Sequence, residues 1–178
     1  MNKKMISFIG GGNMATAIIS GILSSGLSDS DHICATAAHE SSVIRLKETL
    51  HIEATTDNKA AAQKADILFL AIKPNMFHKV IPEIRHAVKE NAIIVSIAAG
   101  QTIERIEEIF ETSIKLVRVM PNTPAMVGAA MSAICCNDAV PDEDLAEIQA
   151  ILKTIGKRNS TTEFNCGACG YMTCREKA

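Results

Sequence analysis

The sequence predicts an α/β domain, doubly wound around a mainly parallel sheet with helices on both faces. Three observations carry that prediction. Short apolar runs alternate with stretches of helical spacing from residue 5 to about residue 157, the pattern of repeated β-α units. The first apolar run ends in Gly10-Gly11-Gly12, and a helical pattern opens directly behind it. The chain is 47 % hydrophobic but only 3 % aromatic, with no Trp, so its core is aliphatic, as suits strands covered by helices on both sides.

Taken in order, Met5–Ile9 reads as the first buried strand. Ala15, Ile18, Ile19, Ile22 and Leu23 then share one helical face, which Gly26 closes. Ile33–Thr36 is a second strand, Val43–Leu50 a helix, and Ala54–Thr56 a short third strand. Ala60–Lys64 is a brief helix leading through Asp66 into the strand Ile67–Ile72, which Lys73-Pro74 stops. Phe77, Val80, Ile81 and Ile84 mark a helix whose start Pro82 obscures. Ala92–Ile97 is the fifth strand, and Thr102 can cap the helix carrying Ile103, Ile106 and Phe110. Lys115–Met120 runs into Pro121-Asn122-Thr123-Pro124, residues 127–136 give one more apolar strand, and Leu145, Ile148 and Leu152 stripe a last helix behind Pro141. After Lys157 the chain turns polar and rich in cysteine. The expected division is an α/β domain over residues 1–157 and an irregular tail over 158–178.

With 178 residues, 18 basic and 20 acidic side chains, and no long basic run, the chain lacks the electrostatic footprint of a nucleic-acid or membrane-surface protein. No apolar stretch reaches the roughly 18 residues of a membrane span, and the start is too short and polar for a secretory signal. A cytoplasmic protein is the expectation. The five histidines are scattered and read as surface residues rather than catalysts.

The segment Gly10-Gly-Gly-Asn-Met-Ala15 fits G-x-G-x-x-G/A between a strand and a helix, which predicts a dinucleotide-binding domain of the Rossmann type. Gly10 permits the tight turn, Gly12 lets the backbone approach a pyrophosphate, and Ala15 lets the helix pack against the strand. The phosphates would rest on the unpaired N–H groups of the helix start. The second strand ends in Thr36-Ala-Ala-His-Glu40. With no acid at its tip to hold a ribose 2′-hydroxyl, it leans toward NADP, but it offers no Arg either, so NAD stays open.

Four stretches together resemble pyrroline-5-carboxylate reductases: Phe8–Ala15, Asp66–Pro74, Val95–Gly100 and Arg118–Pro124, within a similarity over about residues 4–157. The resemblance implies hydride transfer from NAD(P)H to the C=N carbon of 1-pyrroline-5-carboxylate, giving proline. It assigns Gly10, Gly12, Asn13 and Met14 to the pyrophosphate, and Asn58 to the neighbourhood of the adenosine. Ala71, Ile72, Lys73 and Pro74 would line the cofactor, together with Ile97, Ala98 and Ala99. The Met120–Pro124 segment, with Asn122 and Thr123, would lie near the nicotinamide and substrate. Lys73 reads equally as a phosphate contact or as a strand-end cation, and Asn122-Thr123 also reads as a structural turn. No catalytic acid or base is expected in this part, because an imine nitrogen carries its own proton near neutrality.

The same family implies a following helical domain that makes the homo-oligomer and supplies the substrate site. No such segment follows Gly156 here, so the expectation is a truncated chain that binds NAD(P)H and reduces the imine poorly or not at all. In the tail, Cys166, Cys169 and Cys174 have the spacing Cys-x2-Cys-x4-Cys, which resembles the start of a four-iron four-sulfur binding domain. Three readings stay open for it: a foreign fragment joined by a gene-model or assembly error, which is the favoured one, a three-thiolate site completed by a partner or exogenous ligand, or a disordered cysteine-bearing end.

Overall fold

The computed structural model describes residues 3–156. Seven strands, β1 (Ile6–Ile9), β2 (Ile33–Thr36), β3 (Glu53–Thr55), β4 (Ile67–Leu70), β5 (Ile93–Ser96), β6 (Lys115–Pro121) and β7 (Ser132–Cys136), form one sheet in the order β3-β2-β1-β4-β5-β6-β7. All pairs are parallel except β6–β7. The doubly wound fold predicted from the sequence is therefore the observed one.

Among the described residues six helices cover the sheet: α1 (Asn13–Ser25), α2 (Glu40–Leu50), α3 (Asn58–Lys64), α4 (Phe77–Ile84), α5 (Ile103–Phe110) and α6 (Asp142–Lys153). The period-2 alternation of the strands sorts their side chains into two cores. Phe8, Ile67, Phe69, Ile93, Val95 and Val117 face Ile18 of α1, Leu46 of α2 and Ile148 of α6. Ile9, Leu68, Leu70, Ile94 and Leu116 face Ala62 of α3, Ile81 of α4 and Ile106 of α5. Phe8 and Phe69 stack across β1 and β4 with centroids 4.5 Å apart.

Several boundaries differ from the expected ones, each for a local reason. α3 starts at Asn58 because the Asp57 carboxylate accepts the Ala60 N–H at 2.9 Å. β4 ends at Leu70; Ala71 keeps one bond to Ile9 of β1, and Ile72–Lys73 lead on toward the turn at Pro74. Pro82 does lie inside α4, where the carbonyl it leaves unbonded belongs to the exposed His78. The expected strand over residues 127–136 is corrected most. Thr123–Val127 form a 3-10 turn closed by Gly128 at φ +66°, and only Ser132–Cys136 pair as a strand. Cys166, Cys169 and Cys174 lie outside the described residues.

Candidate functional site

The parallel registers set Ile9, Leu70, Ser96 and Arg118 side by side across β1, β4, β5 and β6. Whatever follows them emerges along one carboxyl edge: Gly10–Gly12 after β1, Ala71–Pro74 after β4, Ile97–Ala99 after β5, and Asn122 after the longer β6. The chain turns outward in opposite directions from β1 and β4, so this edge is the switch point at which open α/β sheets leave a crevice.

Gly10 adopts φ +101°, a conformation that side chains resist, and its N–H donates to Thr36 Oγ1 at 3.0 Å. Gly11 is buried against Leu46 of α2. Gly12, exposed and extended, caps α1 without a side chain, and space is open where its Cβ would stand. The first intrahelical bond runs from Thr16 N to Gly12 O, which leaves the N–H groups of Asn13, Met14 and Ala15 at the head of the helix with no acidic residue beside them. Asn13 is exposed, whereas Met14 packs partly on the core.

Ala71 stays bonded to β1 through its N–H to Ile9 O at 2.9 Å, and Ile97 to β4 through Leu70 O at 3.4 Å. Ile72 and Pro74 are half-buried, Lys73 is exposed and joins none of the ion pairs formed among the described residues, and Pro74 opens a 3-10 turn leading into α4. Ala98 is buried in the α4–α5 core while Ala99 is exposed. Asn58 approaches from α3, its Oδ1 accepting the Thr36 hydroxyl at 2.7 Å and its amide nitrogen lying 3.4 Å from Glu83.

Asn122 spends its side-chain oxygen on the Met131 N–H at 3.0 Å, so the turn reading of this residue has direct support. Thr123 begins the 3-10 turn. Two residues of this edge were not singled out as site residues from the sequence: Thr36, whose hydroxyl ties the glycine turn to β2 and α3, and Gly11. The only available signal was the position of Thr36 at a strand tip and the third glycine in the run.

Charge is arranged at the opposite, amino end of the strands. There Lys3 pairs with Asp29 at 2.7 Å, Lys89 with Asp66 at 2.8 Å and Lys115 with Asp144 at 2.7 Å. Hydrogen bonds from Lys3 and then His32 hold the Asp29 carboxyl down to about 2. Among the described residues no cluster of His, Cys, Asp or Glu could hold a metal ion, and no helix is long and apolar enough to cross a membrane.

Residues 5–100 match the family model described as NADP oxidoreductase, coenzyme F420-dependent. The chain belongs to this family of NADP oxidoreductases. Among curated relatives, pyrroline-5-carboxylate reductase of Vibrio alginolyticus is 37 % identical over 157 residues, covering 88 % of this chain and 57 % of the relative. That of Escherichia coli (strain K12) is 35 % identical over 161 residues, covering 90 % and 60 %. The solved pyrroline-5-carboxylate reductase of Coxiella burnetii superposes with TM-score 0.83 at 33 % identity, over 87 % of this chain and 57 % of that one. The Plasmodium falciparum pyrroline carboxylate reductase, solved with NADP bound, gives TM-score 0.78 at 25 % identity, over 88 % and 56 %. The resemblance read in the sequence is borne out. The chain spans less than two thirds of the length of these relatives.

Proposed function

We propose that residues 3–156 hold NADP(H) for the reduction of 1-pyrroline-5-carboxylate to proline, as a cytoplasmic oxidoreductase. The observation that carries this reading is the glycine turn. It combines an open approach over Gly12 with the unpaired N–H groups of Asn13 and Met14 at the positive end of a 13-residue helix. A pyrophosphate fits that chemistry, since it brings acceptor oxygens and negative charge and needs no side chain in the way.

When bound, the cofactor would supply a hydride. The chain's own residues would bind and orient it: Gly10, Gly12, Asn13 and Met14 at the pyrophosphate, Asn58 toward the adenosine, and Ala71–Pro74 with Ile97–Ala99 along its length. Lys73 would place a cation near a phosphate, and Asn122-Thr123 would border the nicotinamide end. On this reading a nucleotide-binding domain spans residues 1–157 and a separate cysteine-rich stretch spans 158–178, for which an iron–sulfur cluster on Cys166, Cys169 and Cys174 is less favoured. A second reading is a dinucleotide-holding module without turnover of its own; the site residues are binding groups, which serve either reading.

Calorimetric titration of the 178-residue chain with NADPH and NADH tests the first claim. Binding of NADPH is expected, and binding of neither dinucleotide overturns it. Oxidation of NADPH by the same preparation with 1-pyrroline-5-carboxylate then separates the enzyme from the holding module.

A further inference from the structure

We propose that Thr36 is the positioning residue of the glycine turn, with Asn58 aiming its hydroxyl. The inference rests on the reading of Gly10–Gly12 as the pyrophosphate cradle. Thr36 is 1 % exposed, and its Oγ1 accepts the Gly10 N–H at 3.0 Å while donating to Asn58 Oδ1 at 2.7 Å.

The logic is one of a single proton. A threonine hydroxyl has one hydrogen to give and lone pairs to receive with. Because Asn58 Oδ1 takes the hydrogen, a lone pair of Oγ1 is left facing the Gly10 N–H. Asn58 has its own support, sitting at the first position of α3 with its amide nitrogen turned toward Glu83. The Gly10 peptide needs that support. With φ at +101° it lies where the backbone is least constrained by its own sterics, and it sits just past the last ladder residue of β1. The orientation of the next two peptides, and with them the N–H groups at the start of α1, follows from how this one is held. Thr36 thus reaches from β2 across to the turn and fixes its geometry before any ligand arrives, which spares the ligand that ordering cost.

The same network limits what Asn58 can offer. Its oxygen is committed to Thr36 and one amide N–H is directed to Glu83, so a single N–H is left for an oxygen acceptor on the adenosine side of the ligand.

The test uses Thr36→Val and Thr36→Ser in the full 178-residue chain, with NADPH titration and amide hydrogen exchange read by NMR. Thr36→Val should weaken NADPH binding by about tenfold or more and speed exchange at Gly10 by a similar factor, while the Ile6–Ile9 amides stay protected. Thr36→Ser should restore both, and Asn58→Asp, which keeps an acceptor for the hydroxyl, should leave Gly10 protected. If Thr36→Val binds NADPH like the natural chain, or if the β1 amides loosen together with Gly10, the proposal is overturned, the latter because it marks a general structural role. Failure of the natural chain itself to bind NADPH would instead strike the cradle reading, and the exchange at Gly10 would still decide whether Thr36 holds the turn.

Discussion

The carbonyl oxygen of Ala71 stands where a side chain on Gly10 would have to go: a Cβ built on Gly10 lies 2.7 Å from that oxygen. Two strand ends, β1 and β4, therefore close on each other with nothing but a glycine between them. Two residues on, a Cβ on Gly12 meets nothing within 4 Å. The first glycine of the motif is thus required by the fold, whereas nothing in the fold requires the second, which the proposed reading assigns to the approach of the ligand.

That difference can be measured. Gly10→Ala should lower unfolding stability by roughly 2–5 kcal/mol, from the unfavourable φ plus backbone overlap. Gly12→Ala should stay within about 1 kcal/mol, since its φ of −76° suits any residue, yet it should weaken NADPH binding at least as much. Urea unfolding beside NADPH titration checks both. A strongly destabilised Gly12→Ala would contradict the assignment of that glycine to ligand approach.

Gly11 has a third reason. A Cβ there would overlap Cδ1 of Leu46, a buried side chain of α2. Because that atom is the end of a side chain rather than backbone, Gly11→Ala is expected to cost about 1–3 kcal/mol and to be relieved in part by shortening Leu46. In a double-mutant cycle, Gly11→Ala with Leu46→Ala should lose less than the sum of the single changes. Strict additivity would show that α2 does not press on the turn.

How much of this was legible in the sequence depends on the range of the interaction. Strands and helices were readable because the two cores impose alternation and helical spacing locally, and the glycine turn because a positive φ at Gly10 tolerates few other residues. What was missed depends on register. Nothing near Thr36 in sequence tells that it faces Gly10, 26 positions away. The segment 127–136 misled for another reason: a run of small and apolar residues suits a tight 3-10 turn as well as a strand, and Gly128 and the Asn122 side chain decide for the turn. Asn58 was placed at the adenosine by resemblance alone, and its inward bond to Thr36 could not be read from spacing.

Asn137 is the clearest residue of that hidden kind. Just past β7, its Oδ1 accepts the Leu116 N–H at 3.1 Å, and its amide nitrogen donates to Glu107 at 2.6 Å and to Ile114 O at 2.8 Å. One side chain thus ties the antiparallel return strand to β6 and α5. Asn137→Ala should cost about 2–4 kcal/mol, because it strands backbone groups in a half-buried position. Asn137→Asp, which keeps only the acceptor and sets a second carboxylate beside Glu107, should not restore it. A loss under about 0.5 kcal/mol in thermal unfolding would mean that β7 is held by its ladder alone.

Cys34 gives a pH prediction. Burial first, then the carboxylate of Glu53 across the β2–β3 ladder, push its thiol up to about 11 from the ordinary 9.0. Below pH 9 both folded and unfolded chains keep the proton, and the site costs nothing. Between pH 9 and 11 the unfolded chain gives it up and the folded chain does not, so stability falls as pH rises through that window. Relative to Cys34→Ala, the natural chain should therefore lose ground between pH 8 and pH 10.5, read from urea midpoints at the two values. A constant difference would show that the folded thiol ionises as freely as the unfolded one.

Lys73 tests the cofactor reading from the side of charge. It follows β4 on the crevice edge, is exposed, and takes no part in the ion pairs among the described residues, so its removal touches little of the fold. Lys73→Ala should change unfolding stability by no more than about 0.5 kcal/mol. If its ammonium group meets a phosphate of the ligand, NADPH affinity should fall by roughly three- to tenfold at low salt, and the penalty should shrink as ionic strength rises and the Debye length closes below about 8 Å. Lys73→Arg should recover much of the affinity, because charge rather than shape is what the position would supply. Equal affinities for the natural chain and Lys73→Ala at low salt would leave Lys73 as a cation past the strand end, as in the alternative reading, with Pro74 starting the turn into α4.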